Sequence, residues 1–166
     1  MTADGKSGIA VKAWRYTDNA SSYNRFLFMV NDKNDSNAPW QVVFVETPDK
    51  RDLNARDSLR DEPHTDEDAV DAVYLARANV DGKSEVIMLE AYRDTSKNQS
   101  IPDPGMVTLK TYRLVIAEEG FPGYKFLLTS IAKSKRKYSN VNCALEKEFA
   151  VTFTSETKAE ATACPQ

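Results

Sequence analysis

Histidine and cysteine are nearly absent. The chain has one histidine, His64, and two cysteines, Cys143 and Cys164. A Ser-His-Asp or Cys-His site would have to use His64, which lies in the acidic stretch "RDEPHTDED" and reads as a solvated loop residue, a poor platform for a catalytic group. There is no CxxC and no histidine near either cysteine, which argues against a zinc site. No GxSxG, HExxH, phosphate-binding loop or dinucleotide fingerprint occurs. These absences predict a protein with no catalytic residue, no metal and no cofactor. Long apolar runs are missing too: none approaches the ~20 residues that a membrane-spanning helix needs.

Two cysteines are the minimum for one disulfide. A Cys143–Cys164 bridge would pin the C-terminal tail "ATACPQ" to the body and place the protein in an oxidising compartment. The alternative is two unpaired thiols in a reducing one. The opening "MTADGKSG" is polar and reads as a start codon set on a mature N-terminus, so a removed targeting segment is expected before Ala3. Three Asn-x-Ser sequons, at Asn19, Asn34 and Asn98, fall in expected loops and leave glycosylation open.

The charge is uneven. The net value is −3, yet Glu46 to Asp71 holds ten Asp/Glu against four Lys/Arg. An acidic loop on a near-neutral body does not suit nucleic acid. It suits a basic protein partner, or none. A segment this long is unusual as a connection inside a domain. Asp61, Glu62, Asp66, Glu67 and Asp68 are therefore expected to face solvent and to form part of a surface for a basic protein. The alternative is an idle solvated loop.

The dominant period of the sequence is two. "GIAVKAWRY" (8–16), "RFLFMV" (25–30), "WQVVFVE" (40–46), "AVYLARANV" (72–80), "KSEVIMLEAYR" (83–93), "MVTLKTYRLVIAE" (106–118), "YKFLLTSIAK" (124–133) and "LEKEFAVTFT" (145–154) all read as strands separated by turn signals. Asp81-Gly82 between two alternating runs marks a two-residue hairpin. In 50–72, "DLNARDSLRDE" and the pair Thr65 and Asp68, followed by helical spacing at Val70, Val73, Tyr74 and Arg77, predict a short helical segment. The expected fold is a single all-β domain over 1–166, an antiparallel β-sandwich of about eight strands. Trp14 and Trp40 lie in expected strands and are assigned to its core.

Three further features carry candidate chemistry. Glu90 shares a strand face with Val86, Met88 and Tyr92, where a carboxylate could have a raised pKa and serve a two-carboxylate hydrolase. The alternative is a carboxylate paired with Arg77 or Arg113. "ANVDGKSEV" (78–86) offers oxygens from Asn79, Asp81 and Glu85 for calcium, but lacks the full twelve-residue loop and is equally explained by the hairpin. The run Lys133, Lys135, Arg136 and Lys137 reads as a solvated connection before the last strand, with phosphate or acidic-surface binding as the sharper alternative.

"TYRLVIAEEGFPGYKF", followed by "SKRKYSNVNCAL", spans 111–145 with a gap, roughly a fifth of the chain. It resembles the C-terminal part of the bacterial periplasmic carbapenem intrinsic-resistance proteins. That resemblance implies a small exported β-rich protein that protects by a non-hydrolytic route. It rests on residue types rather than a diagnostic motif and transfers no binding residue.

The function expected from these features is that of a periplasmic or secreted non-catalytic binding protein. Its partner would be a basic toxin or enzyme, or a small-molecule antibiotic. The competing readings are a carbohydrate- or lipid-handling β-sandwich, which predicts Trp14 or Trp40 exposed in a groove, and a structural or adhesion module.

Overall fold

The computed structural model describes residues 6–16, 23–32, 35, 37–47, 56–61, 70–80, 82–94, 103–117, 123–151 and 164. They form two sheets and one helix. Strands β1 (Lys6–Arg15), β2 (Tyr23–Asp32), β3 (Gln41–Val42) and β5 (Leu59–Arg60) make the first sheet. Here β1 lines one edge of β2 for its whole length, while β3 and β5 pair with β2 at Met29–Val30 and at Arg25–Phe26. The second sheet has the order β4 (Phe44–Val45), β9 (Tyr124–Tyr138), β8 (Gly105–Ile116), β7 (Lys83–Arg93), β6 (Asp71–Val80). All its pairings are antiparallel except β4 with β9. This is the expected β-sandwich.

The apolar run 40–46 does not form one strand. Gln41–Val42 pairs with β2 and Phe44–Val45 with β9, so the chain changes sheet at Val43, which is fully buried and donates its N–H to Phe28 O at 2.9 Å. The hairpin at Gly82 is as expected. Val80 pairs with Lys83, and Gly82 has φ 79°, a left-handed value that favours glycine.

The second sheet is covered on both faces. Met88, Tyr112 and Phe126 face Phe28, Val30, Val43 and Val45 of the first sheet and the crossover. On the opposite face Leu89, Ala91, Val107 and Leu109 pack against Val141, Ala144 and Leu145. Those last three belong to α1 (Val141–Lys147). The strand expected over 145–154 is thus overturned for its described part. Asn140 caps the helix by accepting the Asn142 N–H at 2.9 Å, and Val141, Ala144 and Leu145 recur at helical spacing. The Cys143–Cys164 disulfide ties the C-terminal tail to α1.

Two other expectations change. Between 50 and 72, Leu59–Arg60 is a strand and β6 begins at Asp71; residues 50–55 and 62–69 lie outside the described set. Val70, Val73, Tyr74 and Arg77 do not form a helix, because Asp71–Val80 pairs residue for residue with β7. The basic run is not a connection but the end of β9, at a bulge. Met106 pairs with Lys137 and Thr108 with Lys133, so three residues, 134 to 136, oppose Val107. The displaced donors are met by side chains. Ser134 Oγ accepts from Val107 N at 2.9 Å, and the Glu148 carboxylate accepts from the N–H groups of Lys135 and Arg136. Those contacts, the Lys135 N–H above all, hold the Glu148 carboxyl below its ordinary range. Lys133, Lys135, Arg136 and Lys137 themselves point to solvent.

The disulfide closes a loop across a sequence separation of 21, which in the chain-entropy model stabilises by about 3 kcal/mol. Denaturant unfolding with and without reductant should show a loss of that order, and thiol titration of the denatured, unreduced protein should find no free cysteine.

Candidate functional site

Asp61 is not at the surface. It is 4% exposed, and its carboxylate accepts from Asn24 N at 2.6 Å and from Asn24 Nδ2 at 2.7 Å. Its own N–H donates to Asn24 O at 3.2 Å. The expectation of a solvent-facing Asp61 is therefore corrected. The reason is local: β5 has only two residues, and this three-bond clamp fastens its end to β2. Glu62, Asp66, Glu67 and Asp68, with His64, lie outside the described residues.

The clamp sets what stands beside it. Arg60 lies directly opposite Arg25 on β2, and Arg15 lies opposite Tyr23. Opposed residues share a face of a sheet, so Arg15, Tyr23, Arg25 and Arg60 occupy one side of the first sheet. It is the outer side, since the alternate β2 residues Phe26, Phe28 and Val30 pack into the core. The Arg15 and Arg60 guanidinium carbons lie 5.8 and 5.7 Å from the Tyr23 ring centroid, and Arg15 Nη1 donates to Tyr23 Oη at 3.1 Å. All three arginines are exposed, and among the described residues none has a carboxylate partner. Partial burial acts to raise the Tyr23 phenol, but the adjacent Arg15 and Arg25 outweigh it and hold it below the ordinary tyrosine value.

Glu90 is the opposite case. It is buried, with both oxygens engaged: Arg56 Nη1 at 3.1 Å, Arg56 Nη2 at 3.4 Å, Lys110 Nζ at 3.3 Å and Tyr112 Oη at 2.7 Å. Lys110 also lies 4.7 Å from the Tyr92 ring centroid. Its partners are thus Arg56 and Lys110, not Arg77 or Arg113. Burial works to raise the Glu90 pKa, but Arg56, Lys110 and Tyr112 together bring it below the ordinary carboxylate value. The raised pKa that would suit a proton donor is not found. Burial and the Glu90 charge push the Tyr112 phenol well up, so it stays a donor. Glu85, considered for calcium, is held bidentate by Arg113 at 2.7 and 2.8 Å. Asp81 lies outside the described residues. Among the described residues no group of three His, Cys, Asp or Glu could hold a metal.

Both tryptophans are corrected from core to surface: Trp14 is 56% and Trp40 46% exposed. Trp14 belongs to β1, whose residues from Gly8 onward are exposed. Beside it the sandwich is open. The inward positions Gly8 and Ala10, opposite Val30 and Phe28, are too small to reach the second sheet. They leave an apolar cavity of about 80 Å³, closed on the far side by Leu75 and Leu114. Neither tryptophan lines it.

Sequence patterning missed the arginine cluster, because its members come from three separate strands. The only local signal is Arg15 and Arg25 at the facing ends of two successive expected strands.

These features define a class: an all-β sandwich of two sheets, with a capped helix and a disulfide closing the outer face of the larger sheet. No family model matches the sequence, and no curated protein matches it. Among solved structures, the crystal structure of CarG is similar, with a TM-score of 0.67 over 91% of this chain and 90% of that one, at 16% sequence identity. At that identity the likeness is one of fold.

Glu90 gives a test with a definite sign. Its folded pKa lies below the ordinary 4.5, so its contribution is complete above that value and is lost as pH falls through the folded one. Glu90→Gln leaves Arg56 and Lys110 uncompensated. It should cost about 3 kcal/mol at pH 7, the lower end for a broken buried pair, because the Arg56 side chain keeps 35% of its exposure. The difference from wild type should shrink in urea unfolding at pH 3.

Proposed function

We propose that this chain is an exported binding protein with a protective or inhibitory role, acting by capture rather than by turnover. The observation that carries this reading is the fold likeness to CarG over nine-tenths of both chains. It agrees with the resemblance of 111–145 to the carbapenem intrinsic-resistance proteins. The Cys143–Cys164 bridge supports a periplasmic or secreted site of action. Glu90 is committed to neutralising bonds, which suits a structural carboxylate better than a catalytic one. The partner is a protein or a small-molecule antibiotic. Glu62, Asp66, Glu67 and Asp68 belong to the contact with a basic protein, while Asp61 acts from within as the clamp.

One observation favours a second reading. The exposure of Trp14 and Trp40 is what a carbohydrate-handling β-sandwich requires, although they flank opposite ends of β2.

The two readings separate in one experiment. The chain is expressed behind an export signal in carbapenem-susceptible cells, and survival and residual drug are measured. The protective reading expects survival to rise with drug concentration unchanged. The same chain retained in the cytoplasm should give no protection. Drug loss in step with survival would make the protein an enzyme. No protection, combined with saturable quenching of tryptophan fluorescence by an oligosaccharide, would favour the second reading.

A further inference from the structure

We propose that the outer face of the first sheet is an oxyanion site, at which Arg15, Arg25 and Arg60 close around one dianionic phosphate or sulfate group beside Tyr23. This goes beyond the protective role and does not depend on it.

Three observations lead there. The first is uncompensated charge. Arg56, Arg113 and Arg136 each pair with a carboxylate, Glu90, Glu85 or Glu148. Arg15, Arg25 and Arg60 have none among the described residues. Arg25 and Arg60 are moreover directly opposed across a strand pair, where like charges repel.

The second is preorganisation. Arg60 rides on a two-residue strand that the Asp61–Asn24 clamp holds in register. The Arg15 and Arg60 guanidiniums both lie near the Tyr23 ring, at 5.8 and 5.7 Å. A flat guanidinium held by an aromatic ring presents its fork in a fixed direction, so little freedom is lost when it binds. Arg15 also donates to the Tyr23 hydroxyl, which keeps that oxygen within the cluster.

The third is stoichiometry. Three cations against a single partner carboxylate would leave two unmatched charges. A dianion leaves one, and its oxygens can accept from several forks at once. A nucleic acid polymer is a poor match, since the chain as a whole carries −3.

The test uses the intact oxidised protein. Calorimetry at constant low ionic strength compares inorganic phosphate and sulfate with chloride, and inorganic phosphate with glucose 6-phosphate. One saturable site for phosphate and sulfate, with a millimolar Kd on the order expected for a single small anion, is the expected result. Tighter binding of glucose 6-phosphate points to an ester on a larger ligand, and equal binding points to the free ion; both support the site. The triple variant Arg15→Lys, Arg25→Lys, Arg60→Lys keeps the charge and removes the forks, and should weaken binding about tenfold. Absence of saturable binding overturns the proposal. So does a triple lysine variant that binds as wild type does, since the effect would then be plain charge attraction. A folding control comes from Arg60→Gln alone. Without phosphate its thermal midpoint should equal or exceed that of wild type, because a like charge is gone; with phosphate it should gain less than wild type does. A midpoint well below wild type without anion would make Arg60 a structural residue and overturn the site.

Discussion

The second sheet has no wet face over its central strands, and the rest of the molecule follows from that. A sheet of a simple antiparallel sandwich packs one face on the core and leaves the other to solvent. Here β7 and β8 meet the first sheet on one side and α1 on the other. A polar group in those strands must find its partner within the protein, or its burial costs more than a lost hydrogen bond returns. Glu90 is matched by two cations and a phenol. Val107 N, left out of the ladder by the bulge, is met by Ser134. The Tyr74 hydroxyl donates to Asn142 on the covering helix at 2.8 Å, and Arg93 donates to the carbonyl of Ser139 just before it. The helix therefore has to be where it is, and the disulfide at Cys143 helps to keep it there.

The first sheet obeys a different rule. It is backed by core on one side only, and its β1 edge has one described neighbour. Charges there can stay in water, where an exposed pair is worth little and an exposed repulsion costs little. Three arginines with no described carboxylate partner cost little on that solvated face, and would cost far more in the buried middle of the second sheet. The charge buried in the second sheet is thus compensated, while charges without a described partner stay at the surface, the arginines of the first sheet and Lys133, Lys135 and Lys137 on β9 alike. Side-chain volume follows the same division: Met88 and Tyr112 fill the centre, while Gly8 and Ala10 leave a gap at the β1 edge.

Much of the fold was legible because a period of two, with aromatic and β-branched residues, survives wherever a strand buries at least one face. The ladder from Asp71 through Arg93 follows the Asp-Gly signal residue for residue. What was not legible has physical causes. A two-residue strand such as Leu59–Arg60 has no period to read. The run 40–46 serves two sheets, so its apolar continuity reflects a crossing at Val43 rather than one buried strand. The helix at 141–147 was concealed by the alternating Glu-Lys-Glu-Phe pattern that overlaps its end, although Asn140 before Val141, Ala144 and Leu145 was a cap signal in plain view. Trp14 and Trp40 were placed inside because they lie in expected strands, but an edge strand and the residue ahead of a short strand have little to bury them against.

Charge was the least legible property of all. Counting Asp and Glu from 46 to 71 finds an acidic excess, and the count is correct. It does not tell which charges the fold will cancel. Asp61 is withdrawn from the surface to clamp Asn24, and Arg56 from the same segment is drawn to Glu90. Arg60, also from that segment, faces Arg25 and has no carboxylate partner among the described residues. Formal charge adds along a chain, but electrostatic consequence depends on distance and burial, which sheet pairing sets. Residues 15, 25 and 60 have no common sequence window. They become neighbours only because β2 accepts β1 on one edge and β5 on the other. A chain of net charge −3 can therefore gather three arginines on one face, and the buried acidic residue Asp61 serves to hold that face in register.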